Sequence, residues 1–399
     1  MPVQWKNWSG SLQFTPAKVV HARSEEEVSE LVAHASEQRR TVRMVGACHS
    51  SSGIIQADDI LLSMELMTGL ETTDQVRCEA VVRPGTTLEV ASEQLRNAGL
   101  ALPNLGDVKV QTVAGAIGTG THGSGKLLPN LAATLIGGRL VTGTGKVVEF
   151  SAEHDPKLCR AARVSLGALG ILTALRLRLE KVYRLRRREW SARTDDCLAH
   201  LQELVDENRN FDFYWYPRRD EVKLRMLNPP EQSLRDWPFA KLLDDQEGWS
   251  DEVLSKRREL RFEEMEYALP AEAGPACFGE VRKRMLALHR SHVGWRTLYR
   301  TTAADDAFLS NACGRATVNI SLHQNASLPY RDFFHDMEPI FRAYGGRPHW
   351  GKKHTLRAAE LRTLYPHWDD FLQVRSDMDP SSVFISPSLR ELLGVSTHE

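Results

Sequence analysis

Two phosphate-binding patterns overlap in one glycine-rich stretch, GAIGTGTHGSGKLL, at residues 115–128. Gly118, Gly120 and Gly123 have the G-x-G-x-x-G spacing with which dinucleotide-binding turns approach a pyrophosphate. The overlapping pattern, G-x-x-x-x-G-K, is followed by Leu127, where a phosphate-binding loop of that type needs a Ser or Thr hydroxyl for magnesium. The second pattern therefore lacks the hydroxyl that magnesium binding requires. The first pattern is complete, so the question is whether a strand precedes it and a helix follows it.

The first pattern fails that test, because the segment after it does not read as a helix. A dinucleotide-binding turn opens a helix, whereas LIGGRLVTGTGKVVEF (135–150) reads as two strands around a turn from Gly143 to Gly145. What remains is a glycine-rich loop between extended segments. In such a loop, backbone N–H groups can approach a flat or anionic ligand that a Cβ would keep away.

The residues before this loop predict alternating helices and strands. Ser24 and Glu27 form a capping box at the start of a helix predicted over 24–38, and TTLEVASEQLRNAG predicts a second helix that ends before Gly99. Between them, TVRMV, DILLSM and VRCEAVV read as strands, which gives the order β-α-β-β-β-α. Farther along, FDFYWYP and EVKLRML read as strands and CLAHLQELVDEN as a helix.

Length and composition describe a folded protein, and we expect two domains. The chain has 399 residues, 42% hydrophobic and 26% charged, without an apolar run long enough to cross a membrane. Its net charge of −1 gives no overall field that would attract nucleic acid. Six cysteines without C-x-x-C spacing argue against a metal site or a disulfide framework. The first residues do not read as a secretory signal, so a cytoplasmic location is expected.

One basic run interrupts this even charge balance. LRLRLEKVYRLRRREW, which covers Arg176 to Arg188, alternates leucines with cations as a half-buried strand does. The pattern favours a solvated strand face, because charge runs usually serve solubility, and a polyanion-binding site is the alternative.

Three separated stretches resemble one flavoprotein family. VGACHSSSG, NLGDVKVQTVAGAIGTGTHGSG and GGRPHWGKKH resemble the vanillyl-alcohol-oxidase type, and specifically its aldonolactone oxidases, such as gulonolactone and arabinonolactone oxidase, and its alditol oxidases. SLGALGILTALRLRLE, FEEMEYALP and LYPHWDDFLQVRSDMDPSSVF extend the resemblance over essentially the whole chain. It implies a two-domain α+β fold. An FAD-binding domain would cover 1–180 and be completed by the tail 346–399, and a substrate (cap) domain with an antiparallel sheet would cover 181–345.

The resemblance also implies that FAD is the cofactor and that His49 holds it covalently at its 8α-methyl group. Small residues around His49 would form a nest of backbone N–H groups for the pyrophosphate, with Cys48 where the family usually has glycine. A turn histidine and, for SLGALGIL, a turn in the core are the alternatives. The residues expected to contact FAD are Val45, Gly46, Ala47, Cys48, His49, Ser50, Gly115, Gly118, Gly120, Thr121, His122, Gly123, Ser124, Ser165, Gly167, Gly170, Ile171, His349 and Lys352.

Two cations are the main candidates for chemistry on a carbinol. Lys352 resembles the family's lysine near flavin and substrate, where a cation stabilises reduced flavin and a developing oxyanion, and a solvated lysine is the alternative. Arg300 resembles the arginine of a Glu-x-Arg pair, but Leu298 replaces the glutamate and Ser321 replaces a histidine of the alditol oxidases. His323 shares a strand face with Ser321 and is a further candidate. These differences favour a lactone, another sugar derivative or a less polar alcohol over a polyol.

The loop sequence LGD adds two candidates beside the expected flavin. Asp107 is interpreted as a substrate contact or base that compensates for the missing glutamate, and a turn residue is the alternative. Gly106 occupies the position where a small residue leaves oxygen a path to the flavin, although the turn itself could need glycine. Gly106 therefore predicts an oxidase that produces hydrogen peroxide.

Together, these residues predict FAD-dependent oxidation of a primary or secondary carbinol in a sugar lactone, polyol or related alcohol. Hydride would pass to flavin N5, and the expected partners are the small-molecule substrate and O2, without nucleic acid or a membrane span; the sequence leaves the oligomeric state open. Two alternatives stay open at this point. One is a dehydrogenase that uses another acceptor, and the other is a catalytically impaired flavin-binding protein.

Overall fold

The computed structural model describes residues 4–233, 235–255 and 260–396. The strands in this part of the chain are β1 Trp5–Lys6, β2 Gln13–Phe14, β3 Lys18–His21, β4 Val42–Val45, β5 Ile60–Ser63, β6 Leu70–Asp74, β7 Glu79–Val82, β8 Leu100–Ala101, β9 Leu135–Val141, β10 Val147–Ser151, β11 Ile171–Arg178, β12 Glu180–Lys181, β13 Arg184–Arg193, β14 Asn210–Tyr216, β15 Glu221–Asn228, β16 Ala240–Trp249, β17 Phe262–Pro270, β18 Thr297–Thr302, β19 Thr317–Asn325 and β20 Arg347–Pro348.

The α-helices of the same part are mostly short. They are α1 Glu25–Glu37, α2 Leu88–Asn97, α3 Val113–Gly118, α4 Pro156–Ala162, α5 Thr194–Ala199, α6 Leu201–Asp206, α7 Ser250–Val253, α8 Gly274–Arg284, α9 Arg331–Ala343, α10 Ala358–Leu364, α11 Trp368–Met378 and α12 Pro387–Leu393. No helix among the described residues combines the length and apolar character that crossing a bilayer requires.

A small parallel sheet holds the segment that leads to His49. Its strand order is β3-β5-β4, and the helix α1 packs on it through Val28, Val32 and Ala35. The helix begins as the sequence predicted, because the Ser24 hydroxyl accepts a hydrogen bond from the Glu27 N–H. The strand β4 ends at Val45, so the chain leaves this sheet directly into the small-residue turn around His49.

A second sheet has the order β10-β9-β11-β7-β6, with antiparallel neighbours throughout. Its β9–β10 hairpin confirms the prediction of two strands around the glycines at 143–145. Between β8 and this hairpin, however, the chain does not stay extended. Residues Val113–Gly118 form the helix α3, whose first turn is capped by the Thr112 hydroxyl, so the predicted glycine-rich loop is wrong for this part.

The largest sheet has eight strands in the order β16-β13-β15-β14-β18-β19-β17-β20, and every neighbouring pair is antiparallel. Alternation along its central strands separates two faces. One face is apolar and buries Phe213, Tyr299 and Ile320. The other carries charged groups, among them Asp212 on β14 and Arg300 on β18, which are direct cross-strand neighbours. This charged face forms one wall of the site described below.

The C-terminal segment returns to the first half of the chain. The Val42 N–H donates to the Val383 carbonyl at 2.8 Å, and the Gly143 N–H donates to the Met378 carbonyl at 2.9 Å. The mixed helix-and-sheet class and the antiparallel sheet are confirmed. The division into 1–180 with 346–399 and 181–345 stays a prediction; β20, at the start of that tail, pairs with β17 of the large sheet.

The basic run lies on β11 to β13, and many of its cations are paired with carboxylates. Arg184 contacts Glu247 at 2.9 Å, and Arg186 contacts Asp245 at 2.7 Å; both carboxylates lie on the adjacent β16. Ion pairs of this kind favour the interpretation of a charged strand face over a polyanion site.

Candidate active site

Two adjoining clefts contain most of the predicted site residues. His49, Ser50, Gln111 and Thr119 line both of them. We call the one lined by Gly46, Gly115 and Gly118 the glycine cleft and the one lined by Asp107, Glu264 and Lys352 the charged cleft. His49 therefore lies where the two clefts meet.

The glycine cleft is lined by twelve of the predicted cofactor residues, namely Val45, Gly46, Ala47, Cys48, His49, Ser50, Gly115, Gly118, Ser165, Gly167, Gly170 and Ile171. A Cβ added to Gly118, a buried residue, would meet no atom within 4 Å, so a side chain there would enter the cleft. Glycine at this position therefore leaves space open beside the last turn of α3.

Arg43, which the sequence reading missed, adds a cation to the same cleft. Its guanidinium donates to the carbonyl oxygens of Leu166 and Gly167, while its Nε has no hydrogen-bond partner among the described residues. Burial lowers the pKa of Arg43 to about 9. A buried guanidinium with an unused N–H is a ready partner for an anion.

His49 packs against Trp8, with ring centroids 4.9 Å apart and planes at 25°. Burial, with a smaller contribution from the charge of Lys352, lowers the pKa of His49 to about 4, so its imidazole is neutral at physiological pH. The preceding residue, Cys48, has a φ of 51°, in the left-handed region that favours glycine. Burial raises the pKa of the Cys48 thiol to about 11, which removes the reactive thiolate.

Three predicted cofactor residues line neither cleft. Gly120 turns the chain with a φ of 72° beside Val164. A Cβ on Gly123 would lie 2.5 Å from the Asn104 side-chain oxygen, and the Ser124 hydroxyl donates to the Phe211 carbonyl. These contacts describe close packing behind the site.

In the charged cleft, Lys352 forms an ion pair with Glu264 on β17. His323 Nε2 lies 3.3 Å from the other oxygen of Glu264, and His323 Nδ1 lies 3.1 Å from the Arg296 carbonyl. Burial would raise the pKa of Glu264, but Lys352 and His323 outweigh it and lower that pKa to about 2. Burial would likewise lower the pKa of Lys352, but Glu264 and Glu266 raise it, so this side chain is a cation.

Glu266 lies two residues farther along β17, and each of its carboxylate oxygens has a partner. His122 Nε2 lies 2.8 Å from one carboxylate oxygen, and the Ser321 hydroxyl donates to the other. Burial would raise the pKa of Glu266, but His122 and His349 outweigh it and hold that pKa well below its usual range. His349, whose pKa burial lowers to about 4, accepts a hydrogen bond from the Gly351 N–H at 3.1 Å. Ligand atoms of His122, Glu266 and His349 lie within 4.8 Å of one another, and the expectation of no metal site stays a prediction.

Arg300 has two carboxylate neighbours, although the sequence offers it none two residues away. Its Nη2 lies 2.7 Å from Asp107, and its Nε lies 3.7 Å from Asp212. Arg225 also contacts both carboxylates, at 3.0 Å and 2.5 Å, and the Tyr214 hydroxyl donates to Asp107 at 2.5 Å. Burial would lower the pKa of Arg300, but Asp107 and Asp212 raise it. Leu298 lies between Arg296 and Arg300 and lines the same cleft.

Gly106 lines the charged cleft, and its role as an oxygen gate stays a prediction. An added Cβ would lie 3.1 Å from the His122 carbonyl and 3.4 Å from the Thr121 methyl group. A side chain at 106 would therefore press on the segment that carries His122 as well as on the cleft.

Sequence reasoning missed Tyr214, Glu264 and Glu266, which line this cleft, and Asp212 and Arg225, which form ion pairs with Arg300 and Asp107 beside it. Their signal was present in FDFYWYP, EVKLRML and FEEMEYALP, where a charged or polar residue interrupts a buried strand at alternate positions. Such groups are rarely buried without partners, so several of them on neighbouring strands indicate a polar site.

Comparisons with known proteins agree with this geometry. Residues 16–151 match a family model described as FAD binding domain, and residues 236–392 match one described as D-arabinono-1,4-lactone oxidase. The chain is 33% identical to the L-gulono-1,4-lactone dehydrogenase of Mycobacterium tuberculosis, over 98% of this chain and 99% of that protein. It is 26% identical to the L-gulonolactone oxidase of Bos taurus, over 98% of both chains. It is 28% identical to an alditol oxidase of a Streptomyces species, over 97% of this chain and 98% of that one.

A solved structure of cholesterol oxidase from B. sterolicum has a TM-score of 0.84, with 15% identity over 98% of this chain and 97% of that one. At this identity the likeness concerns the fold alone. It confirms the flavoprotein oxidase fold that the resemblance implied.

Proposed function

Since the chain belongs to the family of FAD-binding aldonolactone oxidases and dehydrogenases, we propose that it oxidises a carbinol of a sugar lactone, polyol or related alcohol. The observation that carries this proposal is the position of His49 and Lys352. Both line the charged cleft, and His49 also lines the glycine cleft that adjoins it. The cleft lined by glycines and a cluster of fixed charges therefore meet at His49.

The glycine cleft fits FAD. The open position at Gly118 accommodates a bulky ligand, and the unused Nε of Arg43 offers a donor to a pyrophosphate or another acceptor. When bound, FAD accepts a hydride from the carbinol carbon and passes the electrons on to an acceptor. The residues proposed to hold it are the twelve that line the glycine cleft, with Thr121, His122, His349 and Lys352 on the side of the charged cleft.

We propose a covalent bond between FAD and His49. The neutral imidazole has a free electron pair for a bond to the 8α-methyl carbon, and its stacking on Trp8 fixes the ring where the two clefts meet. That bond would replace one C–H bond of the methyl group and the N–H bond of the imidazole, and the two hydrogens with two electrons would reduce the flavin, which the electron acceptor of the proposed reaction would reoxidise. Cys48 supports the same turn with a left-handed backbone but does not compete as a nucleophile, because its thiol is protonated.

The charged cleft then provides two fixed cations for the substrate. Lys352 places an ammonium beside Glu264, where it stabilises negative charge that develops on a substrate oxygen. Arg300, oriented by Asp107 and Asp212, presents its guanidinium to lactone or hydroxyl oxygens. Asp107 is held as a carboxylate by Arg225 and Arg300 and serves as an acceptor for a substrate hydroxyl.

Oxygen is the proposed electron acceptor, supported by the glycine at 106 and by relatives named as oxidases. A dehydrogenase that uses another acceptor is the second candidate, because the relative at 33% identity carries that name. A cytoplasmic location is also proposed, and it agrees with cysteines that are all unpaired.

The test is a two-step measurement on purified yellow protein. Anaerobic addition of lactones, alditols and aliphatic alcohols should bleach the flavin absorbance with at least one sugar derivative, and readmitted oxygen should restore the colour and release hydrogen peroxide. Bleaching without fast reoxidation by oxygen, but with fast reduction of an artificial acceptor, would assign a dehydrogenase. A yellow protein that no substrate bleaches would refute the proposed reaction and favour an impaired flavin-binding protein.

A further inference from the structure

Arg296 lies at the mouth of the charged cleft, immediately before β18. It lines this cleft and also an outer groove, which we define by Arg218, Arg219, Lys223 and Leu243. Because Arg296, Leu298 and Arg300 occupy alternate positions of extended chain, they share one face of the strand. The path from the groove into the cleft therefore passes Arg296 first, then an apolar side chain, then Arg300.

The charge of Arg296 has no carboxylate partner among the residues that the structure describes. Its guanidinium carbon lies 4.0 Å from the Tyr214 ring centroid and 5.8 Å from that of Trp295. Its Nε is buried without a hydrogen-bond partner in the same part of the chain. A guanidinium stacked on the Tyr214 ring, without a carboxylate partner in the described part of the chain, is pre-organised to bind an anion.

The neighbouring cations differ from Arg296 in having carboxylate partners, although the Nε of Arg300 is likewise without a hydrogen-bond partner in the described part of the chain. Arg225 and Arg300 both contact Asp107 and Asp212, and Lys352 contacts Glu264. Among the described lining residues of the outer groove, three further cations, Arg218, Arg219 and Lys223, accompany a single carboxylate, Glu221, and Lys223 is also paired with Glu189. Among these described residues, the mouth of the cleft carries an excess of positive charge, whereas farther in the three cations Arg225, Arg300 and Lys352 face four carboxylates, Asp107, Asp212, Glu264 and Glu266.

We propose that the substrate is an anionic sugar derivative whose carboxylate or phosphate binds Arg296 while its carbinol lies beside Lys352 and Arg300. This inference rests on the proposed function and narrows its substrate class. Four residues of extended strand separate Arg296 from Arg300 by about 13 Å. That span suits a sugar-sized chain held between two long side chains. Leu298, between them, adds no negative charge that would repel an anion.

The positive outer groove has a kinetic role in this arrangement. A cleft entrance with charge of one sign raises the local concentration of oppositely charged ligands, and salt weakens the effect. We expect the second-order rate of flavin reduction by an anionic substrate to fall with ionic strength, whereas the rate for a neutral one stays nearly constant.

The test compares three substrates on one six-carbon chain: sorbitol, gluconate and sorbitol 6-phosphate. Anaerobic flavin reduction is measured for the FAD-loaded wild type, for Arg296→Gln and for the control Arg178→Gln, an exposed arginine that lines neither cleft. Arg296→Gln should lower the second-order rate by about tenfold or more for gluconate or for sorbitol 6-phosphate, and by less than about twofold for sorbitol. If the rate for gluconate falls more, Arg296 binds a carboxylate; if the rate for sorbitol 6-phosphate falls more, it binds a phosphate. Arg296→Lys should recover part of the loss, and the control should leave all three rates unchanged.

A binding measurement separates this inference from the proposed reaction. Inorganic phosphate, titrated calorimetrically into the FAD-loaded enzyme, should bind at least about tenfold more weakly to Arg296→Gln than to wild type. Equal phosphate affinity in the two proteins, or equal loss of rate for sorbitol and its anionic counterparts, would overturn the role of Arg296 even if neutral lactones are oxidised. Failure of every alcohol to bleach the flavin would instead refute the proposed reaction, while phosphate binding would still decide the anion site.

Discussion

Replacement of Lys352 by methionine separates two roles that the structure gives to this side chain. Methionine keeps the apolar stem and removes the ammonium, which is paired with Glu264 in a buried setting. The change therefore removes a cation beside the substrate and also leaves a buried carboxylate with a weaker partner, His323, at 3.3 Å. Loss of the catalytic cation is measured by turnover, and loss of the buried ion pair is measured by the free energy of unfolding.

The two magnitudes follow from the geometry. Loss of one pre-organised electrostatic stabiliser lowers kcat by about 10² to 10³, which corresponds to about 2.7 to 4 kcal/mol. Removal of one partner from a buried ion pair lowers the free energy of unfolding by about 3 to 5 kcal/mol. Because Glu264 retains His323, we expect the stability loss near the lower end of that range. The single variant should thus be both slow and less stable.

The double variant Lys352→Met with Glu264→Gln distinguishes the roles. It removes the unpaired charge, so its Tm should return close to the wild-type value, while kcat should stay at least about 10²-fold below wild type. Turnover and flavin content are measured together, with Glu264→Gln alone as the control. If the double variant recovers turnover to within about fivefold of Glu264→Gln, Lys352 acts only by neutralising Glu264, and the catalytic role is refuted.

The remaining predictions concern four other positions. His49→Ala should release the yellow colour on acid precipitation, whereas wild type should keep it in the pellet; a colourless wild-type pellet would contradict the covalent bond. Gly106→Val should slow reoxidation by oxygen far more than anaerobic reduction by substrate, measured by stopped flow, and equal slowing of both steps would mean that the side chain mainly displaces His122. Asp107→Asn should lower kcat/KM by about tenfold or more and lower Tm, because a buried charge cluster loses a carboxylate; unchanged kinetics would make Asp107 structural. The pKa of Glu264 lies at about 2, so its contribution to stability is present above the unfolded glutamate pKa of about 4.3 and is lost as the pH falls through about 2. Acid unfolding of Glu264→Gln should therefore depend less on pH between about 4 and 2, and an unchanged pH profile would refute that assignment.

Signals confined to one segment were read correctly from the sequence. The helix predicted over 24–38 occupies Glu25–Glu37, because its cap and its apolar spacing lie within a few residues of each other. The β9–β10 hairpin was likewise predicted from local turn residues. The helix α3 was missed because its glycines have low helix propensity, and the cap from Thr112 together with burial of Val113 and Ile117 outweighs that propensity.

Partners that meet across the fold could not be predicted from local spacing. The resemblance placed the carboxylate partner of Arg300 two residues away on the same strand, where this chain has Leu298. The structure provides it from Asp212, on the neighbouring strand β14, and from Asp107, in a loop of the other half of the chain. Strand order and register decide such pairs, and neither is visible in the residues around Arg300.

The ion pairs between β13 and β16 also affect whether copies of this protein aggregate through the edge of the large sheet. The strand β16 is an edge of the large sheet, and Leu242 and Leu243 on it are 40% and 52% exposed. An exposed edge with apolar side chains invites another chain to add a strand, and closely spaced charges oppose this. Two carboxylates of β16 provide those charges: Asp245, which is paired with Arg186, and Glu247, which is paired with Arg184. Acid or high salt would weaken that protection, and aggregation would then begin at this edge rather than at the active site.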